Sequence, residues 1–202
     1  MSRPIALPSP SLPPRAIAGL AVWLALALAL ALSEVLTLER RFAVPVLLFS
    51  LVAAQIALYV RGGAFRIFAD AVDTRSLLLF QAVRAPIGAA FLVLMSYGLD
   101  ATFARVAGIG DVVAGSLALL LALTRPRSRP LLLAWNVLGL VDILAVIATV
   151  QRVLLLSDHP QTLSMLVHFP GLLLPSFLVP LIVAVHLLIF AKIRAGGRTG
   201  SA

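Results

Sequence analysis

Six apolar runs constrain this chain more than any other feature, because each approaches the roughly 20 residues that an α-helix needs to cross a bilayer. Inside lipid, the backbone polar groups must find partners within the segment, so a run of this length is expected to be helical. The predicted spans cover residues 16–36, 42–60, 76–98, 104–123, 131–150 and 170–193. We therefore predict an all-α fold, a polytopic membrane bundle of six transmembrane helices.

The composition indicates the same class of protein. Hydrophobic residues make up 61% of the sequence and charged residues 12%, whereas a soluble domain carries about twice that charged fraction. The net charge is +8, but the basic residues lie between the apolar runs, where they set membrane topology. We therefore expect the lipid bilayer, and no nucleic acid, as a partner, and the sequence leaves oligomerisation open. No cysteine is present, which excludes disulfides, thiol catalysis and thioether-linked haem.

The basic residues also indicate the orientation. Eleven lie in the N-terminal tail, the second and fourth loops and the C-terminal tail, and four lie in the other loops. This asymmetry predicts that both termini are cytoplasmic, in the inner (plasma) membrane of a bacterium. We expect residues 1–15 to form a disordered cytoplasmic tail and residues 194–202 a flexible one. A cleaved signal peptide is the alternative for the first run, because residues 29–31 resemble a cleavage site.

Three features outside the apolar pattern carry further expectations. Residues 61–75 are amphipathic and predict a short helix in the interface plane. Residues 151–169 are expected to form the longest external loop. This loop contains Asp158, His159 and His168, which are residue types that bind metals. Their spacing matches no ligand pattern, so we expect no metal site. Prolines recur every five residues in the sixth span and predict that this helix bends or breaks.

Three charged residues lie inside the predicted spans. Asp111 and Asp142 are each about 12 Å below the outer ends of sequence-adjacent spans, at 1.5 Å per residue. Arg84 lies slightly deeper, and its long side chain could reach them. A charge at such depth costs roughly 3 kcal/mol or more unless it is paired or hydrated. We therefore predict that Arg84 lies near Asp111, Asp142 or both.

This charged group has two interpretations. It is either a structural ion-pair network or a site whose carboxylates carry a proton or cation, or hold a polar substrate. Two carboxylates beside one arginine leave a negative charge uncompensated in a dry interior. We therefore predict a hydrated pocket that opens toward the external face, with Ala107 and Gly139 accessible from outside.

Other polar residues complete the set of candidates. His186 falls in the inner half of the bundle and is either an axial haem ligand, a proton relay or a hydrogen-bonded packing residue. His168 belongs near the outer surface, too far along the helix to share a haem with His186. Trp135 and Tyr97 lie near span ends and are expected to act as interfacial anchors. The candidate binding residues are Gln81, Arg84, Asp111, Asn136, Asp142, His168 and His186.

The sequence contains no catalytic motif of the GxSxG, HExxH or P-loop kind, so it does not predict an enzyme. The leading hypothesis is the binding or transport of a small polar solute, ion or proton through a polar bundle interior. One alternative is a structural or accessory membrane subunit. The other is a redox protein that binds a quinone, or a haem at His186. Under the leading hypothesis no cofactor is expected.

Four short patterns support a resemblance. They are QAVRAPIGAAFL in the third span, AGIGDVVAG in the fourth, WNVLGLVD in the fifth and FPGLLLPSFLVPL, followed by His186, in the sixth. Over residues 77–190 the chain resembles a bacterial family of small, uncharacterised multi-pass membrane proteins. The resemblance implies no chemistry. It implies that the positions of the family pattern are Gln81, Arg84, Gly108, Gly110, Asp111, Asn136, Asp142, His168, Pro170, Pro175, Pro180 and His186.

Overall fold

The structure is a computed structural model that describes residues 14–36, 40–124, 128–156 and 160–198. Every regular element within these ranges is helical. In chain order they are α1 (Pro14–Leu32), α2 (Ala43–Arg61), α3 (Gly63–Ala71), α4 (Thr74–Gln81), α5 (Arg84–Leu94), a 3-10 turn (Met95–Tyr97), α6 (Ala101–Thr124), α7 (Arg129–Leu156), α8 (Pro160–Val167), a π-helix (Leu174–Leu178) and α9 (Val179–Arg198).

Six of these segments are long and apolar enough to cross a membrane, which confirms the predicted six-span helical bundle. Four spans are the single helices α1, α2, α6 and α7. The third span combines α4, α5 and the 3-10 turn, and the sixth combines the π-helix with most of α9. The chain is therefore a multi-pass membrane protein whose outer surface contacts the lipid bilayer.

The connecting segments contain more helix than predicted. Helix α7 continues to Leu156 and α8 covers Pro160–Val167, so the prediction of a long loop over residues 151–169 is wrong for these two helical stretches. Between the second and third spans, the amphipathic stretch forms α3, as expected.

The predicted tails are also shorter than expected. Helix α1 begins at Pro14, a residue well suited to the first turn because its missing N–H has no helical partner there. Helix α9 runs on to Arg198, so residues 194–198 extend a helix. Residues 1–13 and 199–202 lie outside the described part of the chain.

Helix α6 packs against α4, α5 and α7. One face of α6 is built from small residues around Asp111 and is buried, including Ala107, Asp111 and Ala114. Its packing on α5 is close: a Cβ atom added to Gly88 would lie 2.5 Å from the Gly108 carbonyl oxygen and 2.8 Å from Asp111 Cβ. Small residues thus allow two backbones to approach each other at the level of a buried carboxylate.

Proline interrupts the third span next to its charged residue. Pro86 has no N–H to donate to the Ala82 carbonyl, which accepts from Ala85 N instead at 3.1 Å. Helix α4 therefore ends at Gln81 and α5 begins at Arg84. The sequence analysis did not anticipate this break.

The predicted irregularity of the sixth span is confirmed by the π-helix Leu174–Leu178. Pro180 provides no N–H for the Ser176 carbonyl, and the indole Nε1 of Trp23 donates to that oxygen at 3.0 Å. The Trp23 ring also packs edge-on against Phe177, with centroids 4.8 Å apart. A side chain of α1 thus satisfies a backbone group that proline leaves without its helical donor.

Candidate functional site

Arg84 is the centre of a buried polar cluster. Its Nε donates to Asp111 Oδ1 at 2.6 Å, and its Nη2 donates to Asp142 Oδ2. Its Nη1 lies 3.1 Å from the Gly139 carbonyl oxygen, to which it donates, and 3.2 Å from His186 Nε2. The Arg84 side chain is only 1% exposed. The prediction that Arg84 lies near the two carboxylates is confirmed for both.

The hydrogen bonds of Asn136 assign the tautomer of His186. Asn136 Nδ2 donates to the His186 carbonyl oxygen at 3.0 Å, which leaves Oδ1 of the amide as the acceptor for His186 Nδ1 at 2.8 Å. By this network the ring proton is on Nδ1, and Nε2 accepts from Arg84. Protein groups therefore engage both ring nitrogens of a neutral histidine. This geometry gives no support to axial haem ligation at His186.

Two glycines make room for the cluster on the α6 and α7 sides. A Cβ atom at Gly139 would lie 2.6 Å from His186 Cε1 and 3.4 Å from Arg84 Nη1. A Cβ atom at Gly110 would overlap Oδ1 of Asp142. A side chain larger than hydrogen at either position would displace a member of the cluster, which explains the physical need for glycine there.

The cluster lies near the middle of its spans, deeper than the sequence predicted. Asp111 is ten residues from the start of α6 and 13 from its end, and Asp142 is 13 from the start of α7 and 14 from its end. The prediction of an outer-half position is wrong for Asp142, because α7 continues beyond the apolar run to Leu156, whereas Asp111 stays nearer the end of α6 at Ala101. At 1.5 Å per residue, Asp142 lies about 21 Å from the end of α7.

On one side, the cluster borders a narrow cavity. Its volume is about 40 Å³, and apart from Arg84 and Asp111 its walls are apolar, with Leu166 of α8 among them. Such a volume holds about one water molecule. Ala107 is 0% exposed and Gly139 is buried. The predicted hydrated pocket opening to the external face is therefore absent from the described residues, because Phe103, Leu166 and other core side chains fill that end of the bundle.

On the other side, Asp142 reaches the outer surface of the bundle. Its side chain is 15% exposed and lines an open groove of about 870 Å³ between α6 and α7. The other lining residues of the groove are apolar, including Gly110, Val137 and Val141. The groove faces outward, away from α5 and α9. Access to the cluster is thus lateral, a direction that the sequence analysis did not consider.

Of the remaining candidates, Gln81 adjoins the cluster in sequence and His168 is remote from it. Gln81 is fully buried, and its Nε2 donates to the Ile182 carbonyl oxygen at 3.2 Å. Its Oε1 is buried without a partner in the described structure. His168 ends α8 and is bonded back to its own helix, with Nδ1 2.8 Å from the Ser164 carbonyl oxygen.

The histidines of the predicted external loop are only partly described. Asp158 and His159, considered with His168 as metal-binding types, lie outside the described residues. Within the described part of the chain, no group of three or more histidine, aspartate or glutamate side chains is arranged to hold a metal ion.

Trp135 corrects one prediction and adds a member to the site. It is 4% exposed, and its Nε1 donates to the Ala114 carbonyl oxygen at 3.0 Å. Its ring lies 5.5 Å from that of His186. It is therefore a core residue that backs the histidine, and not an interfacial anchor. Trp135 lies on the same face of α7 as Gly139 and Asp142, and this spacing was the signal in the sequence that could have placed Trp135 at the site.

A second polar group, at the end of the bundle where α6 begins and α7 ends, was missed. Asp100 Oδ1 accepts from Phe103 N at 2.7 Å, as a helix N-cap does, and from Arg152 Nη2 at 3.1 Å. The Asp100 amide donates to the buried Thr162 hydroxyl at 2.7 Å. An aspartate just before an apolar run is a recognised start signal, so the cap could have been predicted. This group ties α8 to the start of α6 and the last part of α7.

Comparisons with known proteins assign the chain to a family but do not indicate its activity. No curated protein and no solved structure matches the chain. The match to the family covers α2 to α9 up to residue 194, and so includes every member of the Arg84 cluster. Because residues 41–194 match the family described as a domain of unknown function (DUF8737), the chain belongs to that family.

Proposed function

We propose that this membrane protein binds and exchanges a proton, or a small monovalent cation, at Asp142 within the Arg84 cluster. The observation that carries the proposal is that one buried guanidinium serves two carboxylates at the middle of the spans. With a neutral His186, the formal charge of the cluster is −1. A purely structural ion pair would need one carboxylate, so the second calls for another positive charge.

The surroundings favour a proton or a small ion over a larger polar solute. The cavity beside Arg84 and Asp111 has room for about one water molecule. The cluster members are fixed by direct hydrogen bonds to each other and to backbone groups. A sugar or amino acid would have to displace several of these contacts, whereas a proton would need only a carboxylate oxygen.

Asp142 is the better exchange site of the two carboxylates. It is the more exposed, and its Oδ1 lies against the open side of Gly110. Asp111 is 6% exposed and is packed beneath Gly88. We therefore assign Asp111 to hold Arg84 in place and Asp142 to gain and lose the positive charge.

The test is infrared difference spectroscopy of the purified protein in lipid nanodiscs, titrated with acid. We expect a protonated-carboxyl band that Asp142→Asn removes. Asp70→Asn, a control at an exposed carboxylate outside the cluster, should keep the band. Sodium in place of choline shifts the titration if a metal cation competes. If no carboxyl band titrates over the whole pH range in which the protein stays folded, and sodium has no effect, the structural-subunit alternative is preferred.

The membrane and the orientation belong to the same proposal. The distribution of basic residues favours both termini in the cytoplasm of a bacterial cell, with the protein in the inner membrane. Fusions of a reporter to the C-terminus should be active inside the cell only. Activity of the same fusion in the periplasm would reverse the proposed orientation.

A further inference from the structure

We infer that the groove between α6 and α7 is a binding site for a lipophilic organic monocation, which enters from the membrane and takes the place of the proton at Asp142. The inference rests on the proposed function and names the kind of ligand that this site would accept. It depends on one juxtaposition, a mid-span carboxylate at the base of an apolar, laterally open groove.

The shape of the groove suits an organic ligand. Its volume of about 870 Å³ lies within the range of roughly 300–1,000 Å³ typical of small-molecule sites. The lining combines small residues, at Gly110, Ala134 and Ala145, with branched side chains such as Val137 and Val141. Among the lining residues of this groove, Asp142 is the sole polar side chain. Apolar walls around one fixed polar group are the usual pattern of ligand sites.

The charge of the cluster selects a cation. Arg84 already pairs with the buried Asp111, and Asp142 brings the formal charge to −1. An anionic ligand would add to this excess and is disfavoured. A neutral apolar ligand would find the same environment in the surrounding lipid, so the groove would offer it no advantage. A single positive charge on an apolar body satisfies both the carboxylate and the walls.

Gly110 makes the carboxylate reachable from the groove. A Cβ atom there would overlap Oδ1 of Asp142, so any other residue would cover or move that oxygen. The second oxygen, Oδ2, is bonded to Arg84. The carboxylate thus has one oxygen held by the protein and one facing a position without a side chain. A bound monocation and a proton would neutralise the same charge, so the two should compete.

The experiment uses tetraphenylphosphonium as the probe and the full-length protein in nanodiscs. We expect saturable binding that strengthens as the pH rises, by up to about tenfold per pH unit where one proton is displaced. Asp142→Asn should weaken binding at least tenfold. Ala134→Trp, which fills the groove, should do the same, whereas Leu120→Trp at an exposed site on α6 outside the groove should not. Circular dichroism and gel filtration verify that each variant is folded.

The outcomes separate this inference from the proposed function. If tetraphenylphosphonium binds Asp142→Asn as well as wild type, or shows no saturable binding, the inference is overturned. A carboxyl band that still titrates in that case leaves the proton site standing. If instead the wild type is a dimer that Ala134→Trp dissociates, a second copy occupies the groove and the ligand-site inference fails. Probe binding that depends on Asp142 but not on pH would support the groove site and overturn proton exchange.

Discussion

Arg84 binds two carboxylates whose surroundings differ. Asp111 faces a narrow, largely apolar cavity of about 40 Å³ and is covered by the close contact of Gly88 with α6. Asp142 faces an open groove of about 870 Å³ on the lipid side of the bundle. Two aspartates that bind the same arginine can therefore differ in role because only one of them is accessible from the surface of the bundle. One carboxylate is enclosed as a structural partner, and the other is placed where its charge can be exchanged.

Loss of the shared arginine should have the largest effect. Arg84→Met leaves both carboxylates without their cationic partner, and breaking a buried ion pair in this way costs ~3–5 kcal/mol. We expect the variant to unfold at markedly lower denaturant concentration in detergent. Adding Asp111→Asn and Asp142→Asn should restore much of the lost stability, because no buried charge remains. A single variant as stable as wild type would contradict the central role of Arg84.

The enclosed side can be tested at a glycine. The Cβ atom of Gly88→Ala would meet the Gly108 carbonyl oxygen and Asp111, so the α5–α6 contact must widen. Overpacking of this kind costs ~1–3 kcal/mol. Gly19→Ala is the matched control, because a Cβ atom there meets nothing within 4 Å. Equal unfolding transitions for the two variants would show that the α5–α6 packing tolerates expansion.

The two carboxylates themselves should differ in what their removal costs. Asp111→Asn removes the enclosed partner of Arg84 and is expected to destabilise the fold by ~1–3 kcal/mol, as for an unsatisfied buried group. Asp142→Asn leaves a neutral Arg84–Asp111 pair and should cost about 1 kcal/mol less. Denaturant unfolding of both variants at neutral pH measures the difference. The reverse order of stabilities would remove the distinction between the enclosed and the exchanging carboxylate.

The smallest expected effect concerns a carboxylate outside the spans, which must be distinguished from the cluster in any acid titration. The hydroxyl and the amide of Ser76 donate to Asp73, the N-cap of α4, and hold the pKa of that carboxyl below its ordinary value of 3.8. Its contribution to stability is therefore complete above that value and is lost as the pH falls through the lower folded-state pKa.

Asp73→Asn should keep the neutral-pH stability within about 0.5 kcal/mol, because asparagine caps helices almost as well as aspartate. It should flatten the acid limb of a plot of stability against pH, and leave the carboxyl band assigned to Asp142 unchanged. A change in that band would mean that the infrared signal had been assigned to the wrong group.

Some of this site could be predicted from the sequence, and some could not. Arg84, Asp111 and Asp142 were identifiable because charges in apolar runs need partners, and α6 showed its small-residue face by its periodicity. The pairing of Asn136 with His186 joins α7 to α9, and a single sequence does not specify which helices are neighbours. The break at Pro86 was visible as a proline, but the apolar run continued across it.

The sequence could not predict the direction from which Asp142 is accessible, and the reason is physical. Helix α7 extends to Leu156 through Gln151 and Arg152, residues that are equally compatible with a loop. Because of this extension, Asp142 lies at mid-span. Helix α8 occupies the end of the bundle at which α7 ends. A buried carboxylate can be reached along the bundle axis or laterally from the lipid, depending on how each helix is rotated about its own axis. The periodicity of apolar residues defines this rotation too coarsely to decide between the two directions.

The hydrogen bond from Trp23 to the Ser176 carbonyl has a consequence for how the protein is made. Its two partners are 153 residues apart, and they lie on the first and the last span. At a synthesis rate of about 5–20 residues per second, α1 is in the membrane for roughly ten to thirty seconds before the sixth span leaves the ribosome. During that interval the indole cannot reach its acceptor. Of the six spans, the one inserted first is thus among the last to reach its final contacts.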